Sequence, residues 1–363
     1  VQLGEERFAT VSRVLTAMQD DGPIDEVEAR REQGEALAIL RRRISGRATE
    51  MHIAACCPWR RSVLLAVVFE HEAGPMARDA ARRVLDSFRL LPPDQITRSV
   101  IPDTQQSQEE IALGFPKKDQ RLVRTSESRH YRLHATASGG KKLLQLLEQR
   151  LWPSMQQLMG PPPGPERVPK LPIFLHRTRS SYVLASLRNG IPRAHLASIE
   201  AHAWDRYFSS SYVSPRDPIL LHEATHQYMT AVQGLDGGGA WLQEGLARWI
   251  EAQYARKRPE RVARNLLQRD ELPRLHKLVA APSLFHIVVR GRKLSPDQAY
   301  DTAAALMSFL HDSSPDGLRS LALQAGILPE GDTRLIQNAF RRSLGKDLTA
   351  VESSWHRWLL ERS

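Results

Sequence analysis

Cysteine is nearly absent from this 363-residue chain, which has only the adjacent pair Cys56 and Cys57. That excludes a disulfide framework, and a two-sulfur metal site there would have no spaced partners. Two buried thiols in a strand are expected, leaving the redox compartment open. No run approaches 18 uninterrupted apolar residues, which excludes a membrane-spanning helix of ordinary length. Aromatic residues are scarce at 6%. The basic runs Arg41-Arg42-Arg43, Arg60-Arg61 and Lys117-Lys118 lack the interleaved rings of a nucleic-acid stacking platform. Acidic residues are in deficit, 41 against 51 Lys and Arg, for a net charge of +10. Such a balance can attract nucleic acid, anionic lipid or acidic polymers; here it reads as arginine scattered over solvated helix faces. The chain begins at Val1, not Met, so an upstream segment is expected; it could be a signal peptide or anchor, which leaves location inferential and leaning extracytoplasmic (periplasmic, envelope-associated or secreted).

What is present is an ordinary globular composition, 41% hydrophobic and 25% charged, in a chain long enough for two cores. Its chemistry concentrates in His222-Glu223-Ala224-Thr225-His226 and, after 17 intervening residues, Glu244. Histidines four apart on a helix share one face, one turn above the other. Two imidazoles so placed can hold one zinc, and the neighbouring Glu223 can take a proton from water at the metal. A third ligand is then needed, with a fourth position open. Glu244 is the candidate. Ser214-Pro215-Arg216-Asp217 reads as a helix start, predicting a helix over 215–233 that Gly234 ends in the left-handed conformation. Gly237-Gly238-Gly239 predicts a loose turn. A second helix from Ala240, stopping before Pro259, then carries Glu244 back toward the histidines.

His222-Glu223-Ala224-Thr225-His226, taken with Trp241-Leu242-Gln243-Glu244-Gly245-Leu246-Ala247-Arg248-Trp249, resembles the gluzincin metallopeptidases, and more narrowly the bacterial peptidase-MA-like domain family. The helix around Tyr300–Leu310, the segment Phe340–Gly345 and Trp355 are similar to that family's later elements. The resemblance covers roughly residues 128–360, is specific at the two zinc motifs, and departs in a loop slightly short of that in better-known aminopeptidases and thermolysins. It implies zinc on His222, His226 and Glu244, Glu223 as general base, and a zincin-like fold. A peptide or protein is the implied substrate. No Gly-x-Met-x-Asn-type amine-anchoring segment precedes the zinc helix, which favours an endopeptidase. The alternatives are a pseudopeptidase, whose zinc only staples the helix hairpin of a protein- or envelope-binding module, and a basic nucleic-acid binder.

The whole chain is expected to be α+β: a small accessory domain over 1–95, a polar linker over 96–127 and the peptidase domain over 128–363. Helical spacing marks Arg7–Met18 and Ile24–Leu40; strands are expected at Met51–Ala55 and Ser62–Phe69, and an amphipathic helix at Ala77–Phe88. His52 and His71 read as structural. Strands at His130–Thr136 and Leu171–His176 enclose a helix at Lys141–Met159, and Arg179–Arg188 forms another. Ile199–Trp204 and Tyr207–Val213 could form a ribbon just before the zinc helix, offering an edge to an extended peptide. Ser295-Pro296-Asp297-Gln298 opens a helix whose Tyr300, Ala304, Met307 and His311 share a face. Core packing explains Ala304 and Met307. The Tyr300 phenol could also donate a hydrogen bond to a tetrahedral oxyanion. Glu251, two turns after Glu244, could orient a ligand histidine, although Arg248 lies where an acidic residue would suit that role better.

Overall fold

The computed structural model describes residues 24–32, 35–44, 47–56, 63–70, 73–87, 103–162, 170–197, 199–204, 206–212, 214 and 217–362. The expected helix Arg7–Met18, together with Cys57 and His71, lies outside them. The fold is α+β, and the chain packs as two compact units. One comprises Val1–Leu90, Pro161–Gly164 and Gln233–Ser363; the other comprises Leu91–Gly160 and Pro165–Val232.

Four antiparallel strands open the first unit: β1 (Ile24–Glu32), β2 (Glu35–Ile44), β3 (Arg47–Cys56) and β4 (Val63–Glu70), followed by helix α1 (Gly74–Ser87). The helix expected over Ile24–Leu40 is corrected to the β1–β2 hairpin, with Glu32 opposite Glu35. A glycine in the middle of that span, at position 34 of the sequence, is a signal against a helix, which glycine weakens. His52 is structural, as expected: its Nε2 lies 2.7 Å from buried Glu50, which Arg41 and Arg78 also approach.

In the second unit the expected linker is corrected by helix α2 (Asp103–Gly114), a 3-10 turn at Gln120–Leu122 and strand β5 (Arg124–Glu127). Glu110 of α2 is buried. It takes His134 Nε2 at 2.9 Å and Arg132 Nη1 at 3.4 Å, both from β6 (Tyr131–Ala135). A polar stretch read as solvated is therefore half of a buried charge network. Helices α3 (Gly140–Leu146) and α4 (Trp152–Met159) are joined by a π turn at Leu147–Leu151. Strand β7 (Leu171–His176) and helices α5 (Arg179–Arg188) and α6 (Arg193–Leu196) lead to β8 (Ala201–Trp204) and β9 (Tyr207–Ser211). The sheet order is β5-β6-β7-β9-β8; the two inner pairings are parallel and the two outer ones antiparallel. Every residue of β6 and β7 is buried, consistent with central strands covered on both faces. Beside them lies α7 (Ile219–Gln227), which runs into a π turn at Tyr228–Val232.

The remainder of the first unit is nearly all helix. It comprises α8 (Ala240–Ala255), α9 (Pro259–Gln268), α10 (Leu275–Ala280), the two-stranded ribbon β10 (Val288–Val289) and β11 (Arg292–Lys293), α11 (Pro296–Ser313), α12 (Pro315–Ala325), α13 (Thr333–Leu344) and α14 (Leu348–Glu361). The expected Ser-Pro start of α11 is present as a full capping box: Ser295 accepts from Gln298 N–H, and Gln298 accepts from Ser295 N–H. Helices α8 and α11 approach closely at Gly245. A Cβ added there would lie 3.2 Å from Ala303 O, so glycine sets the depth of this packing.

Candidate metal centre

Helix α7 begins later than its sequence suggested. Its first residue is Ile219, while Pro215 and Arg216 of the expected start lie outside the described residues; Asp217 N–H donates to Ser214 O, and the Asp217 carboxylate accepts Ile219 N–H at 3.1 Å. The helix is buried nearly all round: Leu220, Leu221, Ala224, Thr225 and Gln227 are among its covered residues. Gln227 fixes its C-terminal end, donating to the Pro172 carbonyl at 2.8 Å and the Arg206 carbonyl at 2.7 Å. Tyr228 continues this anchor, meeting the Trp152 ring edge-on at 5.0 Å. Side chains on this short helix are thus held against the sheet.

On that support His222 and His226 bring their Nε2 atoms to 3.1 Å, with ring centroids 4.9 Å apart and planes at 71°. Two imidazole nitrogens on one zinc, at about 2.0–2.1 Å and a near-tetrahedral angle, stand roughly 3.3 Å apart. The pair therefore fits a shared ion. The same distance also serves a hydrogen bond in which one neutral ring donates to the other. His222 and Glu223 are both buried, while His226 is half-buried. Among the described residues, the ligand atoms of His222, His226 and Glu244 lie within 4.8 Å of one another, and they are the His, Cys, Asp and Glu side chains grouped closely enough to share a metal.

Glu244 lies on α8, half-buried. The loop before that helix is corrected from loose to tightly held. Gly237 N–H donates to Gly326 O at 2.7 Å and Gly238 N–H to Leu328 O at 2.8 Å. Gln243 Nε2 adds bonds to Leu235 O and Gly237 O. Gly234 has the expected left-handed backbone, φ 68°. Glu251 accepts Arg248 Nη1 at 2.8 Å and Lys257 Nζ at 3.4 Å, and Arg248 also donates to Asp301 at 2.7 Å. Glu251 is thus tied into an ion network with Arg248. Tyr300 is half-buried on α11, its ring edge-on to Phe285 at 5.7 Å. Ala304 and Met307 on the same stripe are core.

Two residues with no signal in the sequence form a buried pair, one of which feels the charge of Glu223. Tyr182 on α5 places its hydroxyl 2.8 Å from His202 Nδ1 on β8. Burial, then the negative charge of Glu223, pushes the Tyr182 phenol well above its ordinary range. Burial holds His202 neutral down to about 4. The pair is twenty residues apart in sequence, and no local pattern marks it. Strand β8, the edge of the sheet, packs along α7.

Comparison of the chain with profiles of known protein families, with curated proteins and with solved structures gave no match.

Proposed function

We propose that this protein is a zinc-dependent peptidase of the gluzincin kind, with a zincin-like arrangement of sheet and helix, acting on internal bonds of peptides or proteins. The observation that carries this reading is the convergence of His222 and His226 Nε2 at 3.1 Å on a buried helix that also bears Glu223. His222, His226 and Glu244 would hold the ion. Zinc bound there supplies Lewis acidity, which polarises a carbonyl and lowers the pKa of water toward neutrality. Glu223 accepts a proton from the attacking water and returns it to the departing amine nitrogen. Tyr300 donates a hydrogen bond to the carbonyl oxygen as charge develops. The outer edge of β8, the last strand of the sheet, pairs with an extended substrate strand.

Digestion of a complex peptide mixture by the zinc-loaded protein, read by mass spectrometry beside Glu223→Gln, tests the proposal. Cleavage by the unaltered protein alone supports it and reveals the side-chain preference. No cleavage by either, with one zinc bound per chain, replaces it with the zinc-stapled binding module. Failure to bind zinc at all removes both.

A further inference from the structure

The net charge of this chain is not scattered. Residues 256–293, about a tenth of the sequence, carry eleven Lys and Arg against three Asp and Glu, which is +8 of the total +10. Within that stretch the 3-10 turn Leu284–His286 and the β10–β11 ribbon present Phe285 at 44% and Val288 at 50% exposure. Val288 stands directly opposite exposed Lys293 on the ribbon. Arg269 is exposed just before Asp270 and Glu271, the two acids that hold the ribbon through Arg290 and Arg292. Neither Arg269 nor Lys293 has an ion-pair partner among the described residues.

The ribbon has a fixed shape. Arg290 and Gly291 both have positive φ, 51° and 77°, as a two-residue antiparallel turn requires. Arginine adopts that backbone reluctantly, and the ion pairs to Asp270 and Glu271 hold it there. The result is a stapled tip with an aromatic and an aliphatic side chain in water beside uncompensated cations. Phe285 and Val288 are exposed three residues apart in the chain, with Lys293 opposite Val288, and apolar side chains set among cations are what an interfacial segment presents.

We propose that this tip docks on an anionic lipid bilayer, with Phe285 and Val288 entering the headgroup boundary while Arg269 and Lys293 meet lipid phosphates and carboxylates. The chemistry favours lipid over nucleic acid. Val288 has no face on which a base could stack, and its partner Lys293 is a point charge beside an apolar group, the pattern of interfacial segments. No described helix is long and apolar enough to cross a membrane, so the attachment is peripheral. This inference is independent of the metal centre.

The test is sedimentation of the full chain with large unilamellar vesicles, either phosphatidylglycerol mixed equally with phosphatidylcholine or phosphatidylcholine alone. Thermal melts verify that each variant is folded. Binding to the mixed vesicles only is expected, weakened about tenfold or more by Arg269→Glu with Lys293→Glu. Phe285→Ser with Val288→Ser should weaken it roughly tenfold as well and leave what remains fully salt-sensitive. No binding to the mixed vesicles overturns the proposal, as does binding that both double variants retain. A single-stranded RNA oligonucleotide bound more tightly than the vesicles, and unaffected by Val288→Ser, would also overturn it in favour of nucleic acid.

Discussion

The Tyr182 hydroxyl meets His202 Nδ1 at 2.8 Å, joining a helix to the edge strand that packs along α7. Removing that hydroxyl leaves a buried imidazole nitrogen without its partner. Tyr182→Phe is therefore expected to lower unfolding free energy by about 1–3 kcal/mol, measured in urea, while zinc stoichiometry stays unchanged. A variant as stable as the original would mean that His202 finds another partner at no cost.

Acid should weaken the fold through histidines that burial keeps neutral. His176, beside Ser181 and Ser209, stays neutral down to about 3, and His202 down to about 4. An unperturbed histidine titrates near 6.5. Between about pH 6.5 and 4 the unfolded chain binds protons that the folded chain refuses, so stability falls as pH falls. Above that window these two groups contribute no pH dependence. The limiting slope is about 1.4 kcal/mol per pH unit for each group. Urea unfolding at pH 7, 6 and 5 should show a shallower decline for His202→Gln. Identical declines would show that His202 is not held neutral.

Glu110 tests whether residues 103–127 belong to the fold. Burial opposes its ionisation, but hydrogen bonds from His134 and Gln106 and the charge of Arg132 hold its carboxyl below the usual range. Glu110→Ala takes the acid from buried His134 and leaves buried Arg132 with Glu127 alone of its two acids, and about 3 kcal/mol of stability should be lost. A change under about 0.5 kcal/mol, the range of ordinary surface substitutions, would return the segment to linker status.

Gly245 adjoins the proposed ligand Glu244 and touches Ala303 of α11. Gly245→Val should destabilise by about 1–3 kcal/mol through overpacking and weaken zinc binding in calorimetric titration. Adding Ala303→Gly should restore part of both losses. No coupling between the two substitutions would place the close approach elsewhere.

The elements legible in the sequence were those fixed by local chemistry. Ser295 and Gln298 announce the start of α11 because both halves of that cap lie within one turn. His222 and His226 announce their own juxtaposition, since helical spacing alone brings them to one face. The start of α7 was misplaced because Ser214 and Asp217 compete for the same role, and the choice depends on which N–H the Asp217 carboxylate reaches. Non-local pairs left no trace. Glu110 is separated from Arg132 and His134 by more than twenty residues, and its helix reads as polar linker until those partners cover it. The β1–β2 hairpin was hidden by apolar spacing that suits either period.

The backbone bonds from Gly237 and Gly238 to Gly326 and Leu328 make the approach to α8 a ruler instead of a tether. A residue inserted at the triple glycine would have to bulge past two occupied carbonyls, with a side chain at Gly238 driven to within 2.9 Å of Ala325 O. Changes of length are accordingly barred from this loop, ordinarily the most permissive kind of segment, and the α12–α13 connection nearly ninety residues downstream inherits the same constraint.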